Sequence, residues 1–311
     1  MKNLTLPIAC LLLFLVQACS PARLLRQDDV YKPGFSLAIE QSTESQTRME
    51  LFGEEMVQNT TNSTEYELFF AEQMPNGDQK WEMLITRFVM EGGDNDEVVT
   101  TYDSSNPDRD TSEAATKILE KMIGHRMLMT CTHYGKVLSF SGADDLFDNL
   151  FAKMDTVPEL LGMIESMKKT YGDSAMMHGM ENMWGNFPAK PVRLGDKWST
   201  KNENGQLLGL NTTYYYKLKK RNSKEAVIAM ETKSSPSNDP NRGIDMGMAK
   251  ITYDLSGGGV GSITLSQPDG LIKYSVGTIK LTGTMHMDRG DDMKIDVPLT
   301  ISTKVTTKRI R

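Results

Sequence analysis

No block of basic residues interrupts this sequence. Its formal charge is −6, from 35 Lys and Arg against 41 Asp and Glu. Such a chain is a poor candidate for nucleic acid, whose binding rests on neutralising phosphates. It is equally poor for electrostatic adhesion to anionic lipid. Outside the first residues, no apolar run approaches the roughly 20 needed to span a bilayer as a helix. Aromatic residues are sparse at 7%, cysteines number three, and no fixed-period repeat is evident. Methionine, by contrast, is abundant at 22 residues. It is a soft filler that suits an adaptable cavity or a plain core equally well.

The N-terminus carries an address. Lys2 is followed by an apolar stretch over Leu4–Val16, then by Gln17-Ala18-Cys19-Ser20. A charged head, a short apolar run and a small residue before the cut make a secretory signal. The ending Val16-Gln17-Ala18-Cys19 resembles the lipobox of bacterial lipoproteins. That resemblance implies cleavage before Cys19 and acylation of its thiol and new amine; no metal or cofactor is expected. Cys10 then leaves with the signal and Cys19 is capped by lipid. Cys131 stands alone, so no intrachain disulfide is available and stability must come from the core. Ser20, in place of Asp, resembles outer-membrane lipoproteins rather than retained ones. The absence of an acidic cluster over residues 20–27 resembles a periplasm-facing anchor.

The rest of the chain has mostly a period of two. Residues 19–31 read as a tether, residues 30–141 as a β-rich half with one helix, and residues 187–311 as a second β-rich half. Pro75-Asn76-Gly77-Asp78 joins two strands with hairpin chemistry. A helix is expected from a cap at Thr111 or Ser112 to a stop at Gly124. Strands over Arg126–Thr132 and Lys136–Ser141 should meet at Tyr134-Gly135. Between the halves, residues 142–186 change to a helical rhythm, with a capping box at Thr156–Glu159. Further strands are expected at Thr212–Leu218, Glu225–Thr232, Ala249–Leu255 and Gly261–Gln267, with a glycine-rich turn over Gly257–Gly261. Ile279 to Met287 and Met293 to Ile301 alternate apolar with polar residues, as in an antiparallel sheet covered on one side. Pro298 lies within the last of these and implies an edge or a bulge. The fold class expected is α+β, predominantly antiparallel β. It would be a curved sheet, or two β-rich halves, whose apolar face is covered by the helical insertion.

Phe187-Pro188-Ala189-Lys190-Pro191-Val192-Arg193-Leu194-Gly195-Asp196-Lys197-Trp198 carries a further resemblance. With Tyr31-Lys32-Pro33-Gly34-Phe35, Tyr102-Asp103-Ser104, Gly257–Gly261 and Asp269-Gly270-Leu271 in order, it resembles the bacterial envelope family catalogued as domain of unknown function 6263. The similarity covers about residues 30–310 and implies no catalytic residues. Read physically, two prolines stiffen the approach, Gly195-Asp196 turns the chain, and Trp198 packs on the sheet.

Several clusters invite chemistry. Met176, His178, Met180 and Met183 have soft-ligand character at helical spacing, which suits Cu(I). The same methionines with Trp184 form one apolar stripe, the ordinary look of a packed helix. In Met285-His286-Met287 the histidine points away from both methionines. Cys131 and His133 share a strand face and could pair as thiolate and imidazole, although no orienting group accompanies them. The acidic loops Gly92–Glu97 and Asp103–Asp110 lack EF-hand spacing. Asp144, Asp145 and Asp148 suit the positive end of a helix dipole.

No catalytic signature emerges. The expectation is a membrane-anchored, non-enzymatic binding or scaffold protein that presents a surface to another envelope protein. The alternative is a carrier of an apolar ligand such as a lipid, its pocket lined by Met163, Met167, Met176, Met180, Met183, Trp184 and Trp198.

Overall fold

A computed structural model describes residues 22–25, 31–51, 53–95, 97–110, 114–151, 168, 172–184, 187–188, 190–205, 208–239, 243–245, 250–267, 269–289 and 294–311. Among them, thirteen strands form one open, curved sheet whose ladders are all antiparallel. They are β1 (Ser36–Leu51), β2 (Glu54–Gln73), β3 (Gln79–Asp94), β4 (Glu97–Asp103), β5 (Arg126–Cys131), β6 (Val137–Ser141), β7 (Lys197–Gly205), β8 (Leu210–Arg221), β9 (Glu225–Pro236), β10 (Ile244–Asp245), β11 (Lys250–Ser266), β12 (Ile272–Asp288) and β13 (Lys294–Arg309). The described helices are α1 (Ala114–Met122), α2 (Ala143–Phe151) and α3 (Asp173–Trp184).

Across the sheet the order is β6-β5-β3-β2-β1-β13-β12-β11-β9-β8-β7, with β4 beside β3 and β10 beside β11. The first and last strands pair from Ile39↔Arg309 to Met49↔Leu299. The two β-rich stretches are therefore one sheet, sewn along that seam. Local turns follow the sequence. Asp78 and Met74 close the β2–β3 hairpin by a 2.7 Å bond, with Gly77 at φ 89°. The expected cap at Thr111 or Ser112 and the capping box at 156–159 lie outside the described residues.

Three features differ from the sequence reading. First, β11 runs unbroken through Gly257–Gly261, where a turn was expected. A side chain at 257 or 259 would strike the carbonyl oxygens of Lys280 or Thr278 on β12. The glycines are there for close strand approach, not for reversal. Second, β7 is a strand of Lys, Ser, Asn and Glu with little apolar alternation, and it forms one edge of the sheet. Third, residues 22–25 of the expected tether are docked. Arg23 bridges Val192, Leu25 is buried, and the Arg221 guanidinium donates to the carbonyls of Arg23 at 3.0 Å and Leu24 at 3.1 Å. Pro298 sits on an internal strand, yet the β1 ladder ends one residue away at Leu299. Its missing N–H therefore falls where no partner on that side needs it.

The register places three apolar clusters on one face of the sheet. At one end, Leu37, Leu68, Met83 and Met127 stand in one cross-strand row, and Phe70, Trp81, Met129 and Phe140 in the next. Met180 and Trp184 of α3 belong to the same cluster. Beside it, Leu218, Ile228 and Ile263 form a second row, joined by Leu25, Phe187 and Val192. At the far ends of the long strands, Leu255, Leu281 and Leu299 make a third cluster.

Candidate functional site

Between the two packed ends, the same face changes chemistry. One cross-strand row reads Thr60, Ser45, Thr303, Ile279, Gly259, Thr232 and Tyr214, taken from β2 through β1, β13, β12, β11 and β9 to β8. The next reads Gln58, Thr47, Ile301, Leu281, Gly257, Ser234 and Thr212. Because side chains alternate in direction, each row is a stripe of neighbours about 4.8 Å apart. An open trough of about 1300 Å³ lies here, lined by β1, β2, β9, β11, β12 and β13. It runs across the strands rather than along them.

Hydroxyl groups dominate the side chains on this face of the trough. Ser45 Oγ and Thr303 Oγ1 are 3.1 Å apart, and Thr212 Oγ1 and Ser234 Oγ 2.9 Å apart. Thr232 and Ser234 are buried, and Thr232 Oγ1 has no hydrogen-bond partner. Gly257 and Gly259 leave bare backbone between them and β12. Met230 leans over Gly261 towards Gly277 on the same face, bridging the glycine gap. Charges stand on the opposite face. Lys304 pairs with Glu44 at 2.8 Å, which raises the lysine pKa, and Lys233 lies 3.9 Å from Glu231. A smaller pocket of about 260 Å³ continues beyond Tyr214, between β7, β8 and the Tyr134 turn. There Trp198, Tyr216 and Tyr214 are stacked nearly parallel.

The residues singled out from sequence take other places. Met180 and Trp184 are buried in the first apolar cluster, and Met176 and Met177 pack against it. A void beside Met176 holds about 10 Å³, room for one water at most. Trp198 packs on the second cluster. Met163 and Met167 lie outside the described residues, as does the side chain of Met183. His178 faces Glu181 at 3.3 Å rather than the methionines. Cys131 is fully buried, its Sγ 4.0 Å from Gln79 Oε1, while His133 stands edge-on to Tyr134. His286 lies on the face opposite Met285 and Met287, 2.8 Å from Asp296 and 3.2 Å from Asp254.

The acidic positions are taken up by the protein itself. Arg87 grips Asp103 and holds its carboxyl well below the usual range, aided by bonds from Ser105. Asp173 Oδ1 accepts from the Ala143 and Asp144 amides, and Asp144 Oδ1 accepts from the Asp173 amide. The N-termini of α2 and α3 thus cap one another. Asp148 pairs with Lys168. Among the described residues, no group of three or more His, Cys, Asp or Glu side chains is placed to hold a metal ion. No described helix is long and apolar enough to cross a membrane.

Solved structures offer loose likenesses. The chain is similar to lipovitellin, from a study of its lipid–protein interactions, at 10% identity and a TM-score of 0.46. That match covers 90% of this chain but only 25% of the lipovitellin chain. It is also similar to the OccK5 (OpdH) protein of Pseudomonas aeruginosa, at 7% identity and a TM-score of 0.23, covering 89% of this chain and 98% of that one. The COG4313 outer membrane channel of Pseudomonas putida F1 follows at 8% and 0.23, covering 92% and 99%. No curated protein matches. The model of a family of unknown function, DUF6263, matches residues 76–272, the greater part of the sheet and all three described helices. The chain belongs to that family.

Proposed function

We propose that this protein is a lipid-anchored envelope protein, not an enzyme, that binds a ligand in the trough of its curved sheet. The observation that carries the reading is the trough itself. It is an open volume of about 1300 Å³ on the face that is otherwise closed by apolar packing. A face that merely needed covering would be apolar throughout. On this reading α2 and α3 cover the first apolar cluster, to which they contribute Ala143, Met180 and Trp184. These helices close the core and leave the trough open.

The anchor fits the same reading. Residues 22–25 are clamped beside Val192, Arg221 and Gln267, at the packed end of β8 and β11. An acylated Cys19, three residues upstream of Ala22, therefore sets that end against the membrane, on the periplasmic side of the outer membrane. At about 3.3 Å per residue, Gly258 on β11 then stands roughly 26 Å from Ser266, clear of the bilayer surface.

A second reading, a carrier of an apolar ligand, is favoured by Ile279, which lines the trough, and by Leu281 and Ile301 in the neighbouring row. Native mass spectrometry of the protein purified from its own envelope tests the trough. The expected result is a co-purifying molecule that is lost in Ser45→Tyr, a substitution that fills the trough with a residue strands accept. An adduct retained at full occupancy in Ser45→Tyr, with circular dichroism unchanged, overturns the trough as the site.

A further inference from the structure

We infer that the ligand of the trough is a neutral, polyhydroxylated chain, a glycan strand lying across the β-strands. The inference rests on the trough being the binding site and goes on to name the ligand's chemistry. Three observations select it. The side chains directed into the middle of the trough are chiefly hydroxyls: Ser45, Thr60, Thr303, Thr232 and Ser234. A hydroxyl both donates and accepts, so a ladder of them matches a ligand that does the same at every step.

The charged residues along the trough, Glu44, Glu231, Lys233, Lys280 and Lys304, alternate with these hydroxyls along their strands and so stand on the opposite face. The lysines of these segments point to the opposite face, where Lys304 and Lys233 have carboxylate partners. A phosphate or carboxylate ligand lying on the hydroxyl rows would find no counter-charge within them, and anion sites are built from Arg, Lys or converging amides. An acyl chain fares no better here. It would lie against a row of hydroxyls and return them no hydrogen bond.

The third observation concerns Thr232. It is 7% exposed, lines the trough, and its Oγ1 lacks a partner. A buried hydroxyl in that state is poised to bond whatever occupies the space in front of it. Next to it Gly259 adds no side chain to the row, the place of its Cβ being taken by the backbone of β12. Tyr214, opposite Thr232 on β8, ends the row with an aromatic ring. Thr60, Ser45 and Thr303 follow one another at the strand repeat of about 4.8 Å, and Ile279 and Gly259 stand between them and Thr232.

Titration calorimetry of the mature full chain with maltohexaose, cellohexaose and chitohexaose tests this. The expected result is saturable binding of at least one of them, indifferent to salt because no ion pair forms. Thr232→Val, which keeps shape and strand propensity, should weaken it roughly three- to tenfold, the worth of one neutral hydrogen bond. Ser45→Tyr should abolish it. If none of the three binds at millimolar concentration while the envelope adduct is still displaced by Ser45→Tyr, the glycan assignment falls and the trough stands. Palmitate binding that Ser45→Tyr removes would point the same way. If an oligosaccharide binds but neither variant affects it, its site is elsewhere and the inference is overturned.

Discussion

The Trp184 ring of α3 meets the Trp81 ring of β3 edge-on, with centroids 4.9 Å apart and planes at 72°. Trp81 is fully buried and also touches Tyr31, Phe35 and Phe70. This aromatic knot ties α3 to β2 and β3. Trp184→Ala should cost about 3–5 kcal/mol, the range for large aromatic truncations in cores. Urea denaturation should show a lower midpoint with little change in slope, since the surface exposed on unfolding is nearly the same. A midpoint shifted by a few tenths of a molar at most would mean that the helix does not bear on the sheet.

Gly257 and Gly283 make a second, purely steric prediction. A Cβ at 257 would collide with the Lys280 carbonyl, and one at 283 with that of Asp254, both across the β11–β12 ladder. Gly92 meets nothing within 4 Å. Gly257→Ala and Gly283→Ala should therefore destabilise by about 1–3 kcal/mol, as overpacking does. Gly92→Ala should stay within about 0.5 kcal/mol of the parent protein. Thermal melts of the three variants side by side check the contrast. Equal melting temperatures would show that the sheet relaxes freely around the glycines.

How much of this was legible beforehand follows the range of the interactions. The Pro75–Asp78 hairpin and the alternation along β12 and β13 are set by neighbours in sequence, and both are readable there. So is the apolar stripe of α3. A stripe says that a face is buried but not what it is buried against, so Met180 and Trp184 read equally well as pocket or core. The glycines of β11 read as a turn because local sequence does not show which strand will press against them. Strand β7 escaped because Trp198 is the one large apolar residue on its dry face, too little to show an alternation. The trough was hidden for a stronger reason. Ser45, Thr60, Thr232 and Thr303 are each unremarkable in a strand, and only pairing across up to 258 residues sets them in a row. The one local trace is the switch from apolar to hydroxyl on a single face, visible in β1 as Leu37 and Ile39 give way to Thr43 and Ser45.

Acid should act through Glu120. Arg109 grips it with both arms, Nε to Oε1 at 2.5 Å and Nη2 to Oε2 at 2.8 Å, and Tyr102 donates to Oε1 at 2.6 Å. The Arg109 guanidinium foremost, then the Tyr102 hydroxyl, hold its pKa at about 2, down from 4.5. A carboxylate with a depressed folded pKa contributes stability that is fully present above the unfolded value. That stability is lost as the pH falls towards the folded one. The protein should lose stability between about pH 4.5 and 2. In Glu120→Gln that part of the slope should disappear, with the variant less stable than the parent at pH 7. Denaturant midpoints measured across the range decide it, and parallel slopes in the two proteins would rule the pair out as a source of acid sensitivity.

The anchor should be separable from the fold. Cys19→Ala should release the protein into the soluble fraction of the envelope with its thermal unfolding unchanged, because residue 19 precedes the docked segment. Arg221→Met should do the opposite. It removes the donor to the Arg23 and Leu24 carbonyls, so residues 22–25 should become open to protease while membrane attachment persists. Fractionation and limited proteolysis of both variants give the two readouts. A Cys19→Ala protein that still sediments with membranes would dispose of the lipid anchor.

His286 supplies the opposite pH dependence. Its ring lies between Asp296 on β13 and Asp254 on β11, and the hydrogen bond to Asp296, then that to Asp254, raise its pKa above 6.5. A histidine whose folded pKa is raised contributes fully below its unfolded value, near 6.5, and the contribution fades as the pH climbs through the higher folded value. Stability should therefore fall as the pH is raised from about 6.5 through that value. The ring is partly exposed, so the effect should stay below about 1 kcal/mol and shrink in salt. In His286→Gln the amide keeps a donor but not the charge, so this alkaline decline should vanish. Denaturant midpoints between pH 6 and 9, at low and high salt, separate the cases. A decline that persists in the variant would place its origin in another group.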